Sequence, residues 1–278
     1  MVNYFSMKQN KLISRFRGFN YYILAVLILA GFSIFYFFYH QTKNQEEVYF
    51  LASISNPSSG VNNLISNWIA EAIEVGDKEV TSLGETTAQV VESEEYEAGS
   101  SNKSVFLLLK AKVGKDRSGT YLYKSKPLLV GGVVQIKLAK TQFDALVTYI
   151  GKNPPQYKKE KLRIVLKGTQ IDASIADNIK VGSIIRDNKG ETVAQVIDKK
   201  LSPAIPVILR YESGSNRFVF SSDTDRKDFE VTVDIMTMKI GDYNYYARTQ
   251  RVKVGDGLYL PFKEVSFGGT IISVSPIN

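Results

Sequence analysis

The sequence predicts a mainly β protein with short helices, of the α+β class, in which one N-terminal transmembrane helix precedes two tandem repeats. Each repeat is expected to be a small β-barrel or sandwich. Three observations support this fold class. An uncharged apolar run lies near the N-terminus, a stretch of 24 residues recurs 106 positions later, and strand-type residues fill the segments between turn-forming glycines.

Residues 19–40 form the predicted transmembrane helix. Its apolar run, YYILAVLILAGFSIFYFFY at 21–39, has no charge and no proline. A helix of about 21 residues is roughly 31 Å long and spans the hydrocarbon core of a bilayer. Tyrosines lie at both ends of the run, where they favour the membrane interface. A cleaved signal peptide fits less well, because HQTKNQEE follows the run without a small-residue cleavage site.

The charges on either side of this run predict its orientation. Lys8, Lys11, Arg15 and Arg17 precede it, and no acidic residue does. Positive charge is retained on the cytoplasmic side of membranes. We therefore expect a single-pass cell-membrane protein with a cytoplasmic tail at 1–18 and an extracytoplasmic ectodomain at 41–278.

The composition excludes several kinds of site. The chain has no cysteine, which excludes disulfides and cysteine-based metal or catalytic sites. His40 is the single histidine, so a histidine triad and a multi-histidine metal site are excluded as well. Beyond residue 40, 31 basic residues face 28 acidic ones, which is not the concentrated basic face of a nucleic-acid binder. We predict no cofactor, no metal and no nucleic-acid partner.

An internal duplication defines the two repeats. IAEAIEVGDKEVTSLGETTAQVVE (69–92) aligns without a gap to IADNIKVGSIIRDNKGETVAQVID (175–198), with 11 of 24 positions identical. A second block matches at an offset of 124, as Phe143 and Phe267 illustrate. The larger offset predicts an 18-residue insertion within 199–228. The predicted domains are repeat 1 at 41–151, a Pro- and Lys-rich linker at 152–161, and repeat 2 at 162–278.

Each repeat has the same predicted order of elements. A strand at 48–55 or 162–167 precedes a short helix at 61–73 or about 170–179, which Gly76 or Gly182 is expected to end. A strand ending in AQVV or AQVI follows a turn at Gly84 or Gly190. A longer strand, 104–113 or 229–240, comes next, and the second of these alternates clearly between apolar and polar residues.

Four Val-Gly boxes mark equivalent positions. They contain Gly76 with Asp77, Gly131, Gly182, and Gly255 with Asp256. A glycine between a strand-type valine and a small residue is typical of a tight turn that needs a positive φ. The alternative is an acidic metal or catalytic site formed by Asp77 and Asp256. The structural interpretation is favoured, because Ser183 and Gly132 replace these aspartates in the other copy.

These boxes resemble an uncharacterised family of bacterial single-span membrane proteins. The matching residues are Ile69, Ala70, Ile73, Val75, Gly76, Asp77, Gly84, Val90 and Val91, and at the end of the chain Val254, Gly255, Asp256, Leu258, Gly269 and Ile271. The resemblance implies an envelope location, a β-rich domain, here in two copies, and no catalytic residue. A weaker similarity is to the β-domains of periplasmic adaptor (membrane-fusion) proteins, although this chain has no long heptad segment for their coiled-coil hairpin.

Three short segments are candidates for chemistry or binding. Ser100–Lys103 matches the serine-nucleophile motif S-x-x-K, but lies in a polar loop and has no equivalent in repeat 2. The cluster Glu92, Glu94, Glu95 and Glu97 could supply a carboxylate pair, although such a run is usually solvated. Tyr243, Tyr245 and Tyr246 are candidate contact aromatics or one face of a strand.

With no catalytic constellation, the sequence favours a non-catalytic scaffold or adaptor that contacts other envelope proteins or itself as a homo-oligomer. The first alternative is a cell-wall or surface-polysaccharide binding module, which predicts a row of exposed aromatics along one face. The second is an envelope enzyme, which predicts that at least two of Ser100, Lys103, Glu92 and Glu95 converge in a pocket.

Overall fold

The computed structural model describes residues 21–36, 45–55, 64–99, 101–204, 207–210, 218–221 and 225–277. Residues 21–36 form helix α1, whose side chains are all exposed. The predicted span at 19–40 extends at both ends beyond the described residues. Within the described ranges, no helix is both long and apolar enough to cross a membrane.

The chain forms two compact units. The first contains Met1–Glu47 and Lys112–Pro127, and the second contains Val48–Ala111 and Leu128–Asn278. In the first unit, the Lys115 ammonium lies 2.8 Å from a Glu46 carboxylate oxygen. The Asp116 carboxylate accepts the backbone N–H groups of Ser118 and Thr120, which organises the loop there.

The two halves of the chain contain similar series of elements. The first half contains β1 (Glu46–Ser55), β2 (Leu64–Ser66), α2 (Asn67–Glu71), β3 (Lys78–Val80), β4 (Thr86–Glu97), β5 (Asn102–Lys115), β6 (Tyr121–Tyr123), β7 (Lys126–Pro127), β8 (Val133–Lys137) and β9 (Gln142–Gly151). The second half contains β10 (Lys158–Asp172), α3 (Ala173–Asn178), β11 (Ile184–Arg186), β12 (Thr192–Pro203), β13 (Val207–Arg210), β14 (Phe218–Ser221), β15 (Arg226–Ile240), β16 (Tyr243–Tyr246), β17 (Gln250–Arg251), β18 (Gly257–Pro261) and β19 (Ser266–Pro276).

Each half folds into a curled antiparallel sheet, or half-barrel, with the same topology. The first sheet has the strand order β3-β4-β5-β1-β9-β8, and the second has the order β11-β12-β15-β10-β19-β18. Each of the six strands in these two orders therefore has its counterpart at the same place in the other sheet. The mainly β fold class and the two-repeat organisation are confirmed.

The strand registers reproduce both predicted offsets. Ala88 pairs with Ala111 in the first sheet, and Ala194 pairs with Ile235 in the second. A bulge follows Val90 in β4 and Val196 in β12. The change of offset falls between β12 and β15, where β13 and β14 form a hairpin that pairs with neither large sheet. This position agrees with the predicted insertion.

Three predicted boundaries differ from the structure. Leu64–Ser66, predicted as helix, is a strand because it pairs with Ser104–Asn102 of β5. Helix α2 therefore begins only at Asn67, and it is capped at Ala72, so Gly76 does not end it. In the second half, β10 begins at Lys158, inside the predicted linker, because Lys158–Lys161 pairs with β15.

Alternation along the strands builds the core of the second repeat. Val231, Val233 and Ile235 of β15 are fully buried, and they pack with residues of β10, β12, β18 and β19. Asp172 begins α3, and its carboxylate accepts the N–H of Ser174 at 2.8 Å. The apolar faces of strands and helix thus meet inside the curl of the sheet.

Candidate functional site

The four Val-Gly boxes share one backbone geometry. Their glycines have φ values of 98° (Gly76), 85° (Gly131), 89° (Gly182) and 93° (Gly255), so the predicted turns are confirmed. In each box two backbone hydrogen bonds connect the turn to one residue of the neighbouring strand. The glycine N–H donates to the carbonyl of that residue, and the N–H of that residue donates to the carbonyl of the residue after the glycine. The acceptor strand residues are Val90, Val147, Val196 and Ile271. Each box therefore connects the start of an edge strand to the adjacent strand of the sheet by two hydrogen bonds.

The two box aspartates make local contacts. The Asp77 carboxylate accepts the backbone N–H of Glu74 at 3.0 Å. The Asp256 carboxylate forms a two-point ion pair with Arg251, at 2.7 and 3.1 Å, and this hydrogen bonding lowers the pKa of Asp256. No cluster of three metal-ligating side chains occurs among the described residues. These contacts favour the structural interpretation of both aspartates.

The S-x-x-K segment is only partly within the described residues, because Ser100 lies outside them. Lys103 lies on β5 and donates to Glu95 of β4 at 3.0 Å. Burial opposes the charge of Lys103, but the hydrogen bond and charge of Glu95 outweigh it and raise the pKa of the ammonium. Two of the four residues named by the enzyme hypothesis thus meet. They form an ion pair that keeps the lysine protonated, whereas a general base must be neutral.

The three candidate aromatics have different environments. Tyr243 is 48% exposed and stacks on Arg251, whereas Tyr245 is half-buried. Tyr246 is 3% exposed, lies in the core of the second repeat, and is not a contact aromatic. The strand alternation that exposes Tyr243 turns Tyr245 to the same face, but Tyr246 points inward. The proposal of Tyr246 as a surface contact is therefore wrong.

The most extensive side-chain arrangement among the described residues is a junction between the two repeats, which the sequence had not predicted. Phe106 and Leu108 alternate along β5 with Val105, Leu107 and Leu109, so they lie on the opposite face of the sheet. Together with Leu51 they form a separate buried cluster, against which three tyrosines pack, namely Tyr49, Tyr96 and Tyr149. Around Phe106 and Leu108, the outer face of the first sheet is therefore apolar and covered.

Arg248 of the second repeat lies at the centre of this junction. Its guanidinium is 5.7 Å from the centroid of the Phe106 ring and 4.7 Å from that of Tyr157. Its Nε donates to the Glu94 carboxylate, and the two side chains are only 7% and 14% exposed. Burial opposes the charge of Arg248, but the hydrogen bond to Glu94 outweighs it and raises the pKa of the guanidinium.

Two further contacts extend the junction. The Asn188 side-chain amide donates to the Ser93 carbonyl at 2.9 Å, and the Lys189 ammonium pairs with Glu92. Tyr96 donates to Glu94 at 3.3 Å, and burial, followed by the Glu94 charge, raises the pKa of its hydroxyl. The glutamate cluster of β4 is therefore an intramolecular contact surface, where the sequence had favoured a solvated loop.

The junction depends on residues that differ between the repeats. In the second sheet, Lys200 occupies the position of Glu94, Glu230 that of Phe106, and Thr232 that of Leu108. At these positions the outer face of the first sheet is therefore apolar, and that of the second is polar. A sequence signal for this did exist: SVFLLLKAKV has no alternation, which is typical of a strand buried on both faces, whereas β15 alternates.

A second difference lies where the edge strands β3 and β8 approach each other. In the first repeat, the buried Glu79 carboxylate accepts the N–H of Lys137 at 2.9 Å and the hydroxyl of Thr87 at 3.3 Å. The equivalent residues of the second repeat are Ile185, Pro261 and Val193, which supply neither a carboxylate nor these donors. A cleft of about 650 Å³, lined by Ile185 and Pro261 among other residues, lies there.

No family model, curated protein or solved structure matches this chain.

Proposed function

We propose that this protein is a non-catalytic scaffold or adaptor of the cell envelope. Residues 19–40 anchor it in the membrane, residues 1–18 are cytoplasmic, and the ectodomain at 41–278 presents its β repeats to other envelope proteins or to a second copy. The anchor rests on the uncharged run and its one-sided basic flank. An apolar helix exposed on all sides, as α1 is, is typical of a membrane span.

The observation that carries the adaptor role is the junction centred on Arg248. A buried ion pair that also stacks between two rings holds two sheets together through specific geometry. Such an arrangement suits a protein that displays two binding modules in a fixed relation. The glutamates that could have served chemistry are used elsewhere: Glu92, Glu94 and Glu95 are all paired with basic residues.

The experiment that tests self-association is light scattering coupled to size exclusion on the full chain in detergent. A discrete oligomer supports a scaffold built from copies of this chain. A monomer at every concentration contradicts self-assembly, and the adaptor role then requires a different envelope protein.

The anchor and its orientation are tested by cysteine labelling, for which the cysteine-free chain is well suited. We expect a membrane-impermeant maleimide to label Arg117→Cys, but not Gln9→Cys, on intact cells. Labelling of both variants, or recovery of the protein in the soluble fraction, would contradict the proposed topology.

The polysaccharide alternative has one specific observation in its favour. The exposed Tyr243 and Tyr259 both contact β17. Arg251 stacks on Tyr243, and the Gln250 side-chain amide donates to the carbonyl of Tyr259 and accepts its N–H. Two exposed rings around one short strand can stack on sugars. Loss of binding to purified cell wall in a Tyr243→Ala/Tyr259→Ala double variant would favour this alternative over the adaptor.

A further inference from the structure

Comparison of the two repeats identifies a group of exposed apolar residues, most of which occur in the first repeat alone. We use the name apolar end patch for Val80 (57% exposed), Leu83 (86%), Leu129 (53%), Val130 (63%) and Val133 (63%). The equivalent residues of the second repeat are Arg186, Lys189, Lys253, Val254 and Gly257. Four of five apolar side chains are thus replaced by a cation or a glycine, although the backbone is alike in the two copies.

The turn that carries Leu83 shows how closely the backbones correspond. Thr81 accepts the N–H groups of Leu83 and Glu85 through its hydroxyl, and Asp187 accepts those of Lys189 and Glu191 through its carboxylate. In the second repeat the tip residue Lys189 contacts Glu92. In the first repeat the same tip presents a leucine to the surroundings. In the second repeat the turn therefore contacts the first repeat through a charged residue. In the first repeat an apolar residue occupies the same position.

Topology brings the members of the patch to one end of the first sheet. β1 and β8 are both antiparallel to β9, so they begin at the same end. β3 is three antiparallel steps from β1 and therefore finishes where β1 begins. Val80 and Leu83 lie at the end of β3, and Leu129, Val130 and Val133 lie at the start of β8. The chain thus enters the first sheet at the end where the patch lies.

The length of chain before β1 places this end close to the proposed anchor. The predicted span finishes at residue 40 and β1 begins at Glu46, so the connecting residues reach at most about 20 Å. If the helix spans the bilayer, the end of the sheet that receives the chain cannot be far from the headgroups. The second repeat is further along the chain from the anchor, because it begins only after β9. The cations that it carries at the equivalent positions favour a surface exposed to water.

Composition favours lipid over a protein partner. The patch is aliphatic and contains no aromatic residue, methionine or arginine, the types enriched in protein interfaces. No charged residue occurs from 80 to 84 or from 128 to 135. The unit that contains α1 also contains Lys112–Pro127, in which five basic residues face one acidic residue. Basic segments beside an apolar anchor are attracted to anionic headgroups.

We propose that the apolar end patch lies against the outer surface of the lipid bilayer that holds the anchor, so that the first repeat rests on the membrane and the second does not. Leu83 and the aliphatic residues before and within β8 enter the interface, where burial of apolar area is favourable. This proposal rests on the proposed membrane anchor, and it adds the orientation of the ectodomain.

The test uses single cysteines in the full chain, which has no native cysteine. Leu83→Cys and Val130→Cys report on the patch. Two variants are the matched controls. Val75→Cys lies in the box before β3, at the opposite end of the same repeat. Val254→Cys is the equivalent of Val130 in the second repeat. All four positions are exposed, so the substitutions leave the core intact. Each variant is labelled with bimane and reconstituted in vesicles of phosphatidylcholine and phosphatidylglycerol, with and without brominated acyl chains.

We expect a blue shift and loss of bimane emission at residues 83 and 130 when the lipid is brominated, and neither change at residues 75 and 254. Trp68, the single tryptophan of the chain, lies at the opposite end of the first sheet on α2 and should also keep its emission.

Three other results would overturn the proposal. Aqueous emission at all four positions in a protein that floats with the vesicles removes the bilayer contact but leaves the anchor intact. A blue shift at residues 83 and 130 without bromine quenching means that a second copy covers the patch. Failure to float with the vesicles overturns the anchor itself, and the inference with it.

Discussion

Arg248 shows how one side chain can determine the relation between two repeats. Its backbone has a φ of 59°, and that of Ala247 is 47°, a left-handed conformation that costs roughly 1–2 kcal/mol for a residue with a Cβ atom. The equivalent turn of the first repeat also has two positive φ values, 51° at Lys124 and 64° at Ser125. The turn is therefore a property of the hairpin, whereas the buried pair with Glu94 is a property of the second copy alone.

Removal of Arg248 should destabilise the junction more than removal of any exposed pair. Arg248→Met leaves the buried Glu94 carboxylate without its cationic partner, which typically costs about 3–5 kcal/mol. The double variant Arg248→Met/Glu94→Leu should recover a large part of this loss, because no charge is then buried alone. Chemical denaturation of the single and double variants measures the coupling.

Lys189→Ala is the control for that cycle. Its pair with Glu92 has exposed side chains on both sides, 43% and 41%, and such a pair contributes at most about 1 kcal/mol. A loss for Arg248→Met as small as that for Lys189→Ala would show that the buried pair does not hold the junction.

Tyr96 should make stability sensitive to alkaline pH. Burial, and then the charge of Glu94, raise the pKa of its hydroxyl in the folded protein above the unfolded value of about 10. A raised folded pKa gives a contribution that is complete below the unfolded pKa and is lost as pH rises towards the folded value. Stability should therefore fall above about pH 10. Tyr96→Phe should fall less steeply, since it has no proton to lose.

The measurement is the denaturation midpoint of both proteins between about pH 8 and pH 11. Tyr246, whose pKa burial also raises, remains in the variant and should retain part of the slope. Parallel curves for the two proteins would contradict a role for Tyr96 in this dependence.

At the scale of elements, the edge strands show the same change from polar to apolar at three linked positions. Glu79, Thr87 and the N–H of Lys137 form one hydrogen-bonded group in the first repeat. The second repeat has an apolar residue at every one of these positions, and Pro261 has no N–H that would need an acceptor. A buried donor without an acceptor costs about 1–3 kcal/mol, so loss of the Glu79 carboxylate in the second repeat goes with loss of the N–H at position 261.

This linkage predicts the effect of exchanging the residues. Glu79→Ile should cost about 1–3 kcal/mol, because it leaves the Lys137 N–H without its acceptor, whereas the Thr87 hydroxyl still reaches the Glu79 backbone carbonyl at 3.3 Å. Glu79→Gln keeps an oxygen for the Lys137 N–H and should cost clearly less. The free energy of unfolding of the two variants provides the comparison, and equal losses would show that packing rather than hydrogen bonding determines the position.

At the scale of the whole molecule, the two repeats differ in what surrounds them although they share a topology. The outer face of the first sheet is covered at the junction, whereas that of the second carries ion pairs such as Arg163 with Asp234 and Lys167 with Glu230. Among the described residues, the outer face of the second sheet is therefore charged where that of the first is apolar.

A spin-label measurement checks that the two repeats keep one arrangement. Nitroxides on the exposed positions Glu71→Cys and Lys180→Cys should give a narrow distance distribution in the full chain. Arg248→Met should broaden it, because the junction loses its central contact. Arg163→Met, which removes an ion pair within the second repeat alone, should leave the distribution unchanged. A broad distribution in the unaltered protein would contradict a fixed junction.

Local patterns were sufficient for much of the fold. The duplication, both offsets, the position of the insertion and the positive φ of the box glycines follow from short segments, because strand periodicity and turn chemistry depend on neighbours in sequence. The helix before Gly76 was predicted too long, since Leu64–Ser66 pairs with β5, a contact that periodicity does not contain.

The candidate site needed the tertiary structure. Glu94 and Arg248 are 154 positions apart, and nothing local to either residue indicates the other. The sequence by itself determined the repeats and their turns, and the anchor remains its prediction. Only the tertiary structure decided that the glutamates of β4 face a second sheet, because burial and charge pairing depend on which surfaces meet in space.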